Sequence, residues 1–411
     1  MANIEQSERI LKLLHHRRHE RKLRRVAHMC RKRFFTGCFS ELEIIGLEKI
    51  IEGAERGGRF IFIPNHQSEY DWLILQTVLV ESGIQAAIQA GNNLFIGPLD
   101  PFLRHCGAFM SIRDEQAFYS RSWILNWLLR MLGKRPFVVT KEMYGAVYAK
   151  QLQQVLGDDG LHLIVFPGYE TDPFSGAVKY GRSYSGELSS LSPFVFTILG
   201  DAVRKTSQLN EAAYVPVNIS YERVPEDILF REFTAKSSRS QIAKYVYDHY
   251  YTFAKAPISR WLRNQRSRAC LKFGDPIEVP PNGGGRQVAE CLRKELGDLC
   301  RVYESMLVFA SIDTKFRMAR KVLERKAAKN LQILETEGID TSPLYDTEGK
   351  PLSIEEMLAR TVKIFNFPRI PIIPSKSYVT IEYDDNEVFI HHPHLASYYG
   401  NKLKHLLRQQ A

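Results

Sequence analysis

His66 and Asp71 stand five positions apart, with Gln67-Ser68-Glu69-Tyr70 between them, at a point where one hydrophobic pattern stops and another starts. The apolar run Ile61-Phe62-Ile63 ends at Pro64, and a helical apolar pattern covers residues 72–80. An imidazole beside a carboxylate suits proton transfer. The carboxylate accepts from one ring nitrogen, fixes the tautomer and balances the charge, while the other nitrogen takes the proton. Positions five apart on one helix point roughly 140° away from each other, so such a pair needs His66 in the turn and Asp71 on the first turn of the helix. The competing reading of the same residues is a capping aspartate beside an incidental loop histidine.

The elements that would position this pair alternate in type. Residues 42–52 and 59–63 read as strands joined through Gly57-Gly58, then a helix at 72–82 and a strand at 84–90. An apolar segment at 102–113 ends in Arg113. A helix at 120–132 follows, with Trp123 and Trp127 one turn apart and best read as core. After a helix at 143–156, the strand at 161–166 breaks at Pro167-Gly168. A long Gly-, Ser- and Tyr-rich loop then runs over 169–185, carrying Glu170, Lys179, Arg182 and Ser183. Residues 213–220 form a strand that runs into Tyr221-Glu222-Arg223-Val224, residues 240–263 an excursion, and residues 270–277 a last strand. This alternation predicts an α/β sheet approached at the ends of its strands. Helices are expected at about 286–310 and 315–336, then a Pro-rich passage at 368–374, a hairpin at 378–391 and a helix from Leu395.

The chain has 411 residues, 44% hydrophobic and 25% charged, which is ordinary for a globular protein. Its net charge of +10 favours anionic partners. Residues 5–35 are helical in pattern and dense in Arg and Lys, with an incomplete apolar face. Such a helix either lies on an anionic membrane surface or packs on the domain by its leucines. Without interleaved aromatics or a recognised module, nucleic acid is not expected as a partner. The six cysteines are scattered and no Cys/His cluster has zinc spacing, so we expect reduced thiols in a cytosolic setting and no metal. The histidines 391, 392 and 394 read as exposed or packed side chains. No run of about 18 uncharged apolar residues is present, so no spanning helix is expected. The expected division is 1–40, a basic helical segment; 41–282, the main domain; and 286–411, a mainly helical region.

Four spaced blocks resemble the glycerolipid acyltransferase family, nearest its glycerol-3-phosphate and dihydroxyacetone-phosphate branch. The first is Pro64-Asn65-His66-Gln67-Ser68-Glu69-Tyr70-Asp71, similar to the family's His-x4-Asp. The second runs from Gly97-Pro98 to Gly107-Ala108-Phe109-Met110-Ser111-Ile112-Arg113, with one residue more than the family's pattern. The third is Gly181-Arg182-Ser183-Tyr184-Ser185-Gly186, where Lys179-Tyr180 replace the expected Glu-Gly and Glu170 lies upstream. The fourth is the strand Val215-Pro216-Val217-Asn218-Ile219-Ser220 continuing to Arg223 and Val224. Ser397-Tyr398-Tyr399-Gly400-Asn401 resembles a further segment of the same branch.

The resemblance implies a mixed sheet flanked by helices, preceded by the basic helix and followed by the helical C-terminal region. It implies transfer of a fatty acyl group from acyl-CoA or an acyl carrier protein thioester to the 1-hydroxyl of glycerol-3-phosphate, the first step of phospholipid synthesis. His66 and Asp71 would be catalytic. Arg113, Arg182, Ser183, Lys179, Arg223 and Glu170 would bind substrate, the arginines because planar donors suit a phosphate. No cofactor is implied, and attachment would be peripheral, on the cytoplasmic side of an anionic membrane. No serine or cysteine sits in a nucleophile motif, which favours direct attack over a covalent intermediate. Ser68 reads as a cap. The alternatives are a lysophosphatidate or other lysophospholipid acyltransferase, and a non-catalytic membrane-binding relative.

Overall fold

The computed structural model describes residues 20–91, 103–111, 116–118, 131–132, 137–139, 141–158, 161–171, 178–181, 183, 185–206, 212–227, 266–280, 284–312, 317–366 and 379–408. Eight strands make the main sheet. In chain order they are β1 (Phe39–Ile45), β2 (Arg59–Pro64), β3 (Ala86–Gly91), β4 (Ala108–Ser111), β5 (His162–Ile164), β6 (Ala212–Tyr221), β7 (Ser267–Phe273) and β8 (Ile277–Glu278). Their spatial order is β1-β7-β6-β2-β5-β3-β4, with β8 paired to β6. The neighbours β6, β2, β5, β3 and β4 are all parallel, while β7 is antiparallel to β6 and parallel to β1. Five strands therefore present their carboxyl ends on one edge, and the His66 turn leaves β2 from the middle of that edge.

The sequence of β2 explains its central place. Side chains alternate between the two faces of a strand. Phe60 and Phe62 enter one core while Ile61 and Ile63 enter the other. A strand covered on both faces reads as an unbroken apolar run, and all ten residues of β6 are buried for the same reason. The first core is covered by α2 (Leu47–Glu55) and α3 (Asp71–Glu81), the second chiefly by α4 (Lys141–Gln153) and α5 (Pro193–Arg204). Helix α3 is apolar nearly all round, and eight of its residues are buried. On it lies α1 (Glu20–Met29), which buries Leu23 and Ala27 and turns Arg21, Lys22, Arg24 and Arg25 outward.

The C-terminal region is built onto this sheet. Helix α6 (Gly285–Asp298) joins the second core. Helices α7 (Glu304–Ser311), α8 (Arg320–Thr336), α9 (Ile354–Phe365), α10 (Pro393–Asn401) and α11 (Lys404–Leu407) join the first. Phe365 meets Phe309 and Tyr399 edge-on at centroid distances of 5.1 and 4.7 Å, locking α7, α9 and α10 together. A small antiparallel sheet of Arg317–Ala319, Glu387–Ile390 and Ile381–Tyr383 closes the region.

Several elements differ from the reading of the sequence: the helix expected at about 286–310 is two helices, α6 and α7, and α9 was not expected. The expected strand over 42–52 is a strand and a helix, β1 and α2, divided at Gly46. Gly46 has φ 77°, and a Cβ there would lie 2.6 Å from the Phe273 carbonyl oxygen, so the close approach of β7 fixes both glycine and break. The expected loop over 169–185 contains an antiparallel hairpin, Gly168–Thr171 with Val178–Tyr180. The helix at 120–132 with Trp123 and Trp127, and the excursion at 240–263, lie almost wholly outside the described residues.

Candidate active site

Pro64 ends β2 because it brings no N–H to continue the ladder. The chain still follows β6 for one more step. The Asn65 N–H donates to the Val217 carbonyl at 3.1 Å, and its side-chain amide exchanges two hydrogen bonds with the Ile219 peptide, at 3.3 and 2.8 Å. His66 follows in the turn, and Asp71 is the first residue of α3. His66 Nδ1 lies 3.0 Å from Asp71 Oδ2. The same oxygen accepts from the N–H groups of Gln67 and Ser68 at 2.6 and 2.8 Å, while Oδ1 accepts from the Tyr221 hydroxyl at 2.6 Å. Asp71 has no exposed surface, and these four contacts fix both of its oxygens. Burial first, then the Asp71 charge, hold the Tyr221 phenol well above its ordinary pKa, so it remains a donor.

The imidazole keeps one edge open. Its ring packs against Phe166 at 4.6 Å between centroids and retains 15% exposure. With Nδ1 engaged by Asp71, Nε2 is the nitrogen available for chemistry. His66 lines a cleft with Asn65, Gln67, Gly168, Ser183 and Leu188. Behind the turn, Ser68 accepts from the Tyr70 N–H at 3.0 Å and donates to Glu226 at 2.9 Å, and Glu226 also accepts from the Glu69 N–H at 2.6 Å. Ser68 thus shapes the turn.

The hairpin brings Glu170 to the segment 181–186. Glu170 pairs across the hairpin with Lys179, so the excursion returns the chain to where it left. Its carboxylate accepts from the Ser183 and Ser185 hydroxyls. The Ser183 N–H donates to the His66 carbonyl at 2.7 Å, which joins this loop to the turn. Glu170 and Ser183 therefore stand beside His66. Lys179 lies on the hairpin, and its side chain, like the whole of Arg113 and Arg182, lies outside the described residues.

Arg223 is a correction. It has no exposed surface and forms a two-pronged pair with Asp227 at 2.7 and 2.9 Å. Another nitrogen donates to the Ile364 carbonyl, and the guanidinium lies over the Phe365 ring at 5.1 Å. A guanidinium so engaged ties the end of β6 to α9 and does not face a ligand. His391, of the histidine trio, pairs with Glu382 at 3.1 Å on the surface. Asn65, Tyr221, Glu226 and Tyr398 were not singled out by sequence. Three of them reach the turn from 150 residues away or more, and no local pattern announces such contacts.

The histidine–carboxylate pair stands at the carboxyl end of the central strand of a mostly parallel sheet, and residues 41–172, which contain both, match the family model described as Acyltransferase. The chain is 26% identical over 239 residues to the glycerol-3-phosphate acyltransferase of Aeromonas hydrophila, 58% of this chain and 24% of that protein. The protein of that name from Pseudoalteromonas atlantica is 25% identical over 245 residues, 59% of this chain and 24% of its own. The one from Haemophilus ducreyi is 22% identical over 396 residues, 90% of this chain and 42% of that protein. The chain thus spans between a quarter and a half of the length of these relatives.

Proposed function

We propose that this chain transfers a fatty acyl group from a thioester to the 1-hydroxyl of glycerol-3-phosphate. The observation that carries the reading is the oriented pair, His66 Nδ1 at 3.0 Å from a buried Asp71, at the end of the central strand. An alcohol is a weak nucleophile at neutral pH, and a positioned base contributes roughly 10²- to 10⁴-fold. Nε2 removes the hydroxyl proton as the oxygen attacks the thioester carbonyl, and Asp71 balances the imidazolium. As the C–S bond breaks, the imidazolium returns the proton to the leaving thiolate. Atoms and charge balance without a covalent enzyme intermediate.

The acceptor phosphate is met by Arg113 and Arg182, with Lys179 nearby. Glu170 holds the hydroxyls of Ser183 and Ser185, which sets the loop that carries Arg182. The thioester belongs to acyl-CoA or to an acyl carrier protein. Contact with membrane is peripheral and led by the outward cations of α1. Among the described residues no helix is long and apolar enough to cross a membrane.

The test is an acceptor panel. Purified protein is given acyl-CoA or acyl carrier protein thioester with radiolabelled glycerol-3-phosphate, dihydroxyacetone phosphate or lysophosphatidate. We expect glycerol-3-phosphate to be preferred, and Arg182→Ala to raise its KM by roughly tenfold or more while leaving the thioester KM nearly unchanged. Preference for lysophosphatidate would move the assignment to the lysophospholipid branch. No transfer to any acceptor would leave a non-catalytic membrane-binding relative.

A further inference from the structure

Immediately after α10 the chain buries a lysine. Lys402 is 2% exposed, and among the described residues no hydrogen-bond partner reaches its Nζ. Three tyrosine faces surround the ammonium instead, with centroids at 4.8 Å for Tyr399, 5.3 Å for Tyr398 and 5.9 Å for Tyr221. Each of these rings is tied to the candidate site or its support. Tyr221 donates to Asp71 at 2.6 Å, Tyr398 to the Gln67 carbonyl at 3.2 Å, and Tyr399 to Asp227 at 3.0 Å. An unpaired buried ammonium is expensive, and an apolar side chain of the same length would fill the space without that cost.

We infer that Lys402 is a positioning residue of the candidate site, its ammonium gripping the tyrosines that hold the His66 turn and supplying positive charge behind the Asp71 carboxylate. Cation–π attraction favours the ring faces. The charge count gives a second reason. Fully or almost fully buried here are the carboxylates Asp71, Glu226 and Asp227 and the cations Arg223 and Lys402. Written as ionised, they sum to one negative charge, which His66 neutralises when it takes a proton. Without Lys402 the cluster would carry two negative charges and hold the imidazolium too firmly. The groups facing Lys402 are the Cys300 thiol, the three carboxylates and the three phenols. Burial draws its pKa down to about 7, against Cys300 and then Asp71, Asp227 and Glu226, which draw it up.

This inference rests on His66 acting as the base, so its readout is chosen to need no substrate. The His66 ring is followed by NMR from pH 5 to 9 in histidine-labelled full-length protein, assigned by difference from His66→Gln. In Lys402→Met the His66 midpoint should move up by roughly one pH unit, because a nearby positive charge is gone. The acid limb of the pH–kcat profile should move up with it, while both KM values stay. In lysine-labelled wild-type protein the Lys402 Nζ should be seen by NMR as an ammonium at about pH 6, and this measurement stands even if Lys402→Met does not fold. A neutral Lys402 amine at about pH 6, or a folded Lys402→Met protein whose His66 midpoint is unchanged, overturns the inference. Were wild-type protein inactive with every acceptor, both readouts would still be available, so failure of the acyl-transfer reading is distinguishable from failure of this one.

Discussion

At Asp71 four donors converge on two oxygens, and one of them, the His66 imidazole, has a second ring nitrogen that can take a proton. The other three fix the carboxylate so that it in turn fixes the ring, which is how a side chain with no exposed surface acts on chemistry at one that has some. Arg223 shows the opposite case. An arginine at the end of a strand with a polar neighbourhood has the residue type for a phosphate, yet its nitrogens are spent on Asp227 and the Ile364 carbonyl. Removing one partner of a buried pair leaves the other charge unpaired, so Arg223→Ala should lower stability by about 3–5 kcal/mol in denaturant unfolding. The KM for glycerol-3-phosphate of the folded variant should stay close to wild type. A stable variant with a raised KM would return Arg223 to the binding role that its position in the sequence suggested.

Among the elements, the turn and α3 were legible because Pro64, the change of period and the helical run from Trp72 are local signals. Helix α9, which the reading of the sequence does not include, carries one of the clearest local signals in the chain. Ser353 and Glu356 form a reciprocal capping box in front of an apolar stripe. The hairpin at 168–180 was not legible as such. Its strands are short, and Gly- and Ser-rich sequence between strands reads equally as loop, while the contact of Glu170 with Ser183 and Ser185 exists only once the hairpin has closed. Helix α1 illustrates a pattern with two readings that the structure separates. Leu23 and Ala27 are used against the domain, so what remains outward is chiefly charge, with Met29 as an exposed apolar side chain at the end of the helix. Binding to vesicles should therefore depend on anionic lipid and fall as salt shortens the Debye length, each basic residue near the surface contributing roughly 1 kcal/mol. Binding to neutral vesicles, or binding that high salt leaves intact, would show that α1 does not lead attachment.

Across the whole molecule, the alternation of strands and helices gave the α/β class, because the apolar periods of β2, β6 and α3 are set by burial and show in the residues themselves. The role of the C-terminal region did not show. Tyr398 reaches the Gln67 carbonyl and Asn401 the Ser185 carbonyl at 2.9 Å, so α10 holds together the two loops that flank His66. Gly186 admits this helix, since a Cβ there would overlap the Tyr398 carbonyl oxygen. Such long-range packing leaves no periodic trace in either partner. The account stands or falls on the turn these contacts hold. The most direct measurement is the turnover of glycerol-3-phosphate by wild-type, His66→Ala and Asp71→Asn proteins at saturating thioester, with circular dichroism and thermal unfolding on the same samples. The account predicts that His66→Ala loses roughly 10²- to 10⁴-fold in kcat with its fold retained, and that Asp71→Asn loses a comparable share. A folded His66→Ala protein that turns over at the wild-type rate would contradict it.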